Sequence, residues 1–273
     1  MIRLLQIEWG KLKSYRAFWV MIGLYLFILF SIIFGLPAIL DYIAAQAGEN
    51  EAIKAFKSLA FNFPDIWQNI AYVASMRGFI KIILAIIVVI FISNEFTYLT
   101  IRTNILSGMS RTEFLVAKLQ VVFLLALMST LVLFISGFYL GITNSPVITL
   151  TAISGKLQYL LAYLLEVFTY LTFALLIGTL IRKTGFSVII LLLYLIVEPI
   201  VGHYLPDQFG KYLPMNAMNN VIWSPNTSLM QVKTPEFDMD FQTAISIGDV
   251  GICLMYAIIF SGILYLYLQK KDL

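Results

Sequence analysis

Six stretches of the chain are apolar almost without interruption, at roughly 18–38, 74–93, 119–141, 158–181, 186–202 and 250–268. A helix needs about 20 predominantly apolar residues to cross a bilayer, so this pattern predicts six spanning helices, the fifth being the shortest. Orientation follows from the basic residues between the blocks. The N-terminus (Arg3, Lys11, Lys13, Arg16), the second loop (Arg102, Arg111, Lys118), the fourth loop (Arg182, Lys183) and the C-terminus (Lys270, Lys271) hold eleven. The alternate set, Lys54, Lys57, Arg77, Lys81, Lys156, Lys211 and Lys233, holds seven. Both termini are therefore expected on the cytoplasmic side, a parity that agrees with six spans. On this topology all eight prolines (Pro37, Pro64, Pro146, Pro199, Pro206, Pro214, Pro225, Pro235) fall in outer loops or at outer span ends, where helices are expected to stop and restart.

Composition agrees with the pattern. Of 273 residues, 60% are hydrophobic and 12% charged, and the mean hydropathy is +0.90, which excludes a soluble domain with a polar surface. The length holds six spans and their loops, so 1–273 reads as a single all-α transmembrane domain with no separate soluble domain of ordinary size. The one cysteine, Cys253, lies in an apolar run without an intrachain partner. Glu8 and a polar-rich lead of 16 residues precede the first apolar block, and no small-residue cleavage site follows it, so insertion through uncleaved spans is expected.

Two outer segments carry local signals. In 41–72, Asp65-Ile66-Trp67-Gln68 has the spacing of a reciprocal capping box, predicting a helix that starts there and feeds the second span. The longest loop, 203–247, is acidic through Asp207, Glu236, Asp238 and Asp240, with Asp249 close by. Its stretch Leu213–Trp223 is amphipathic enough to lie at the membrane interface. Asn226-Thr227-Ser228 matches a glycosylation triplet by accident.

The cytoplasmic segments are more informative. Residues 1–16 place Ile2, Leu5, Trp9 and Leu12 on one stripe of an interfacial helix, with Leu4 and Ile7 on the other side, available to a neighbour. In 94–118, Gly108 is a left-handed helix stop and Ser110-x-x-Glu113 is a capping box. The segment should fold as a short helix, a tight turn and a helix running into the third span, a rigid charged elbow able to transmit a push.

At these residues the chain resembles the permeases of ABC-2 type exporters over nearly its whole length: an interfacial elbow helix, six spans with both ends inside, and a long last outer loop. Their loose first-loop pattern is matched by Glu95, Thr100, Arg102, Leu106, Ser110, Arg111 and Lys118, while Leu99 stands where a glycine is usual. The resemblance implies a multi-pass protein of the bacterial inner membrane. It would form a dimeric pathway, with a second copy or a paralogue, driven by a separate cytoplasmic ATPase subunit that binds ATP and Mg and docks on the coupling segment around 97–107. The chain itself has no G-x-x-x-x-G-K-[ST] phosphate loop, so no cofactor is expected in it, and no nucleic acid partner.

Ionisable residues in the apolar blocks are costly, by roughly 2.5–3.5 kcal/mol at the bilayer centre. Glu166, Glu198, Arg77 and Lys81, the last two one helical turn apart, are candidates to line or close the outer half of the pathway; snorkelling or a structural ion pair is the competing account. Gly137-x-x-x-Gly141 allows close helix packing, most commonly within one subunit. Intramembrane zinc chemistry lacks ligands, His203 being the only histidine and most simply structural. An ATP-independent transporter or channel is the alternative, disfavoured by span centres made almost wholly of Leu, Ile, Val and Phe. A non-transporting membrane anchor for an ATPase is a third.

Overall fold

The computed structural model describes residues 2–46, 57–226 and 242–270. Lys54, Thr227, Ser228, Lys233, Pro235, Glu236, Asp238, Asp240 and Lys271 of the sequence reading lie outside them. Among the described residues the chain is helical, without strands.

Helix α1 (Ile2–Ser14) leads into α2 (Arg16–Gln46), then come α3 (Ile66–Ser75), α4 (Ile82–Thr97), α5 (Thr100–Leu106), α6 (Arg111–Asn144) and α7 (Leu150–Ser154). They are followed by α8 (Gln158–Ile181), α9 (Thr184–Tyr204), α10 (Asp207–Gly210), α11 (Pro214–Asn219) and α12 (Ile247–Lys270). Five helical stretches are long and apolar enough to cross a membrane: α2, α6, the α7–α8 stretch, α9 and α12. The pair α4 and α5, bent by 66°, makes a sixth when taken as one span. The chain is thus a multi-pass membrane protein.

Helix α8 is the axis of the bundle. In its most apolar 18-residue window the Leu150–Ile181 stretch is 78% buried, against 22% for α9 and for α12 and 28% for α2, so those three present most of their surface outward. Helices α4, α6 and α12 pack most closely on α8. The contact of α6 with the segment around Phe63–Ile70 depends on small residues: a Cβ on Gly137 would collide with Ile70 and Trp67, and one on Gly141 with Phe63. The glycine pair therefore serves packing within one subunit.

The structure corrects several expectations. Proline does not end helices at Pro37 or Pro199, which sit inside α2 and α9. Neighbouring helices, Ser and Thr side chains and local adjustments of the helix can satisfy the backbone groups that a proline frees inside a membrane helix. Asp65 is the N-cap of α3 but makes no side-chain cap bond; its carboxylate accepts from Lys156 at 2.7 Å instead. Gln68 donates to the carbonyls of Ser224 and Gln242, at 3.0 and 2.7 Å, so tertiary partners outcompete the local capping box. Helix α3 does not feed the second span continuously either. A 3-10 turn at Met76–Gly78 intervenes, with Gly78 at φ +91°, and this also removes the continuous helical turn expected between Arg77 and Lys81. Finally, α11 and the 3-10 turn after it bury Met215, Met218, Val221 and Ile222 against the bundle rather than lying free at an interface.

Candidate functional site

The 94–118 segment folds as its local signals predict. Ser110 caps α6, its hydroxyl accepting from the Glu113 amide at 3.1 Å while the Glu113 carboxylate accepts from the Ser110 amide at 2.8 Å. Gly108 takes φ +97° and turns the chain between α5 and α6. On the other side of α5 the bend is made by Leu99, at φ 55°. This left-handed conformation crowds a side chain and is strongly preferred by glycine, so a leucine there stores strain.

The candidate residues of this segment divide into an inner and an outer set. Glu95 and Lys118 are buried and meet Glu8 from α1: Lys118 Nζ reaches Glu8 Oε2 at 2.5 Å and Glu95 Oε1 at 2.7 Å. Lys11 adds contacts to Glu8 Oε1 at 3.1 Å and Glu95 Oε1 at 2.8 Å, and the Thr100 hydroxyl donates to Glu95 Oε2. All four carboxylate oxygens are therefore bonded, and two negative charges balance two positive ones. Lys118 is also sandwiched by rings, 4.0 Å from the Phe91 centroid and 5.0 Å from that of Phe114. Burial pulls the Lys11 ammonium down, but its hydrogen bond to Glu95 and the fields of Glu8 and Glu95 outweigh this, leaving its pKa above the ordinary lysine value.

This cluster corrects the reading of α1. The face turned to the bundle carries Glu8 and Leu12, both buried, while Trp9 of the expected apolar stripe is half-exposed. It also removes Glu95 and Lys118 from any docking surface, and turns the Thr100 hydroxyl inward. Arg102 and Leu106 face outward, Leu106 being 86% exposed, with exposed Tyr98 and Leu99 alongside. Arg111 donates to the carbonyls of Leu268 and Gln269, at 2.8 and 2.7 Å, tying the elbow to the end of the last helix. Glu8 was missed because its local partner, Lys11 three residues on, reads as an ordinary surface pair, while the lysine that meets it in the interior is 110 residues away.

A second polar group lies inside the bundle. Lys81 and Glu166, both fully buried, form an ion pair on the same Glu166 Oε1 that accepts from Ser75 at 2.5 Å, and Lys81 sits 5.6 Å from the centre of the Tyr170 ring. Glu166 Oε2 and the Tyr170 hydroxyl are buried without a hydrogen-bond partner among the described residues. Neither Lys81 nor Glu166 snorkels. Along α8, Tyr163 joins Tyr25 and Ser129, and Thr169 accepts from Cys253 at 3.4 Å, so the axis carries a polar thread that its apolar composition conceals. Glu198 is separate: its Oε1 accepts from the Asn216 amide at 2.8 Å, fastening α9 to α11. Arg77 is placed in the Met76–Gly78 turn. His203 is exposed beside Tyr204. Among the described residues, no three or more histidine, cysteine, aspartate or glutamate side chains come together to hold a metal.

Residues 53–273 match a family model described as a protein of unknown function, DUF2705. No curated protein matches the chain.

Proposed function

The chain belongs to the DUF2705 family, and within it we propose that this member is the membrane-spanning permease subunit of an ATP-driven exporter in a bacterial inner membrane. Its substrate pathway would be shared with a second copy or a paralogue. A separate cytoplasmic ATPase would bind the ATP and Mg and press on α5. The resemblance of the first cytoplasmic loop to ABC-2 permeases motivates the reading, with both termini inside as the basic residues predict.

One observation carries it further than any other. Helix α5 is joined to a frame of other helices: the Thr100 hydroxyl ties it to the saturated cluster of Glu8, Lys11, Glu95 and Lys118 and so to α1, the turn capped by Ser110 leads to α6, and Arg111 links that turn to α12. A force on α5 would reach three other helices without a flexible loop to absorb it. The docking surface in this reading is Tyr98, Leu99, Arg102 and Leu106, not the inward Glu95, Thr100 and Lys118.

The test is purification of the tagged chain from its native membrane, with co-purifying proteins identified. A stoichiometric ATP-binding subunit, lost from the Leu106→Asp variant while the variant's own melting temperature stays unchanged, supports the reading. A chain that purifies alone and transports without ATP overturns it.

The ATP-independent transporter gains one specific observation, the Lys81–Glu166 pair beside a broken helix, features that recur at ion-coupled sites near the membrane midplane. Ion-driven flux in vesicles lacking nucleotide, abolished by Glu166→Gln, would favour that alternative.

A further inference from the structure

Where α4 ends, α5 bends away and α8 gives out, a cavity of about 180 Å³ opens, lined by Phe96, Thr97, Leu99, Ile101, Arg102 and Arg182. We propose that this cavity binds a phosphate group between the guanidinium groups of Arg102 and Arg182, and that an anionic phospholipid headgroup supplies it.

Four observations converge. Both charged residues in the lining are arginines, and no carboxylate pairs with either among the described residues. Among the described residues no hydrogen bond engages the Arg182 guanidinium: Nε and Nη2 are shut off from water without a partner, an arrangement that a small shift of the side chain toward an oxyanion in the cavity would relieve. The guanidinium lies over two rings, 4.7 Å from the centroid of Phe96 and 5.6 Å from that of Tyr267, contacts that restrain it before any ligand arrives. Finally, the two non-glycine residues with positive φ among the described residues, Leu99 at 55° and Arg182 at 61°, both line this cavity. Backbone strain of this kind persists where the surroundings enforce it and gathers at binding sites.

The chemistry selects phosphate. Arginine presents a rigid fork of donors that fits tetrahedral oxyanions, and two forks facing one cavity compensate a single diester charge more than fully. Position selects lipid as the source. Thr97 closes the apolar helix α4 and Arg182 caps α8, so the cavity sits at the level where hydrocarbon gives way to headgroups, and basic pockets between spanning helices at that level take phospholipid heads. The apolar lining of Phe96, Leu99 and Ile101 would face the glycerol and first acyl carbons.

The cavity borders the proposed docking face through Leu99 and Arg102, but lipid binding needs no ATPase, so it is tested on the chain alone. The full-length protein is purified in detergent and titrated with phosphatidylglycerol, with phosphatidylcholine and with inorganic phosphate, following bound lipid by native mass spectrometry and stability by melting temperature. Phosphatidylglycerol should be retained and should raise the melting temperature, phosphatidylcholine much less. Arg182→Gln and Arg102→Gln should each lower phosphatidylglycerol retention by about fivefold, the factor one juxtamembrane cation carries, whereas Lys183→Gln should not. Arg102 is exposed, so its variant reports binding even if Arg182→Gln folds poorly. Stabilisation by inorganic phosphate at millimolar concentration, lost in the same variants, would keep the phosphate site but overturn the lipid source. Equal retention of phosphatidylglycerol by the parent and the Arg102→Gln chain would overturn the proposal.

Discussion

The protein buries two groups of charge, and they are built to different standards. At the elbow, Glu8, Lys11, Glu95 and Lys118 balance two against two, and every carboxylate oxygen has a partner. In the bundle, Lys81 and Glu166 also balance, but all the bonding falls on Glu166 Oε1 and leaves Oε2 bare. A saturated buried network rigidifies what it joins, while an unsaturated one keeps an acceptor to spare. The first therefore suits a mechanical joint, and the second a place where a proton, an ion or a polar substrate group could still be accommodated.

Substitutions can press on this contrast. The largest effect is expected from Lys118→Met, which leaves two buried carboxylates facing each other with only the partly exposed Lys11 between them. The loss should be about 5 kcal/mol, the upper range for breaking a buried ion pair, read as a fall in melting temperature in detergent. Glu166→Gln should cost less, about 3 kcal/mol, since the amide keeps the Ser75 bond. Pairing it as Lys81→Met with Glu166→Leu should recover most of that loss, because an isolated ion pair can be replaced by apolar groups. Lys118→Met with Glu95→Leu should recover much less, because the buried Glu8 Oε2 loses Lys118 as its partner. Equal recovery in the two double variants would dissolve the contrast.

Smaller changes sharpen it. Thr100→Val strips one donor from Glu95 and should cost about 1 kcal/mol without breaking the cluster, measurable as a melting shift of a few degrees. Leu99→Gly relieves the left-handed strain at the bend but frees the unfolded chain, so a net gain of about 0.5 kcal/mol is expected. A loss there would mean that the exposed Leu99 side chain contributes packing outweighing its strain.

Legibility in the sequence followed interaction range. The capping box at Ser110 and the stop at Gly108 act across three or four residues, and both stand in the structure as the spacing implies. The same motif at Asp65 fails because Lys156, 91 residues away, takes the carboxylate, and a motif carries no information about such competitors. Glu95 and Lys118 were visible as members of a charged loop. Their burial was not, since it depends on α1 folding back to deliver Glu8. Arg182 stood in the sequence only as one of a pair of basic loop residues. The rings against its guanidinium, Phe96 and Tyr267, come from α4 and α12, brought beside it by the bundle.

Apolar blocks of spanning length and the absence of alternation settled an all-helical, multi-pass membrane chain before any coordinates, because lipid solvation sets helix length through a single dimension. The sequence also determined the cap at Ser110, where only neighbours along the chain take part, but not the one at Asp65, where a distant lysine competes. Tertiary structure alone decided that the second block is broken at Met76–Gly78 and bent at Leu99, that α8 is the axis, and that six ionisable side chains are gathered in two buried groups. A buried charge has to find its counter-charge wherever the fold brings one, and apart from the Glu8–Lys11 pair within α1 the partners in this protein lie from 23 to 110 residues apart.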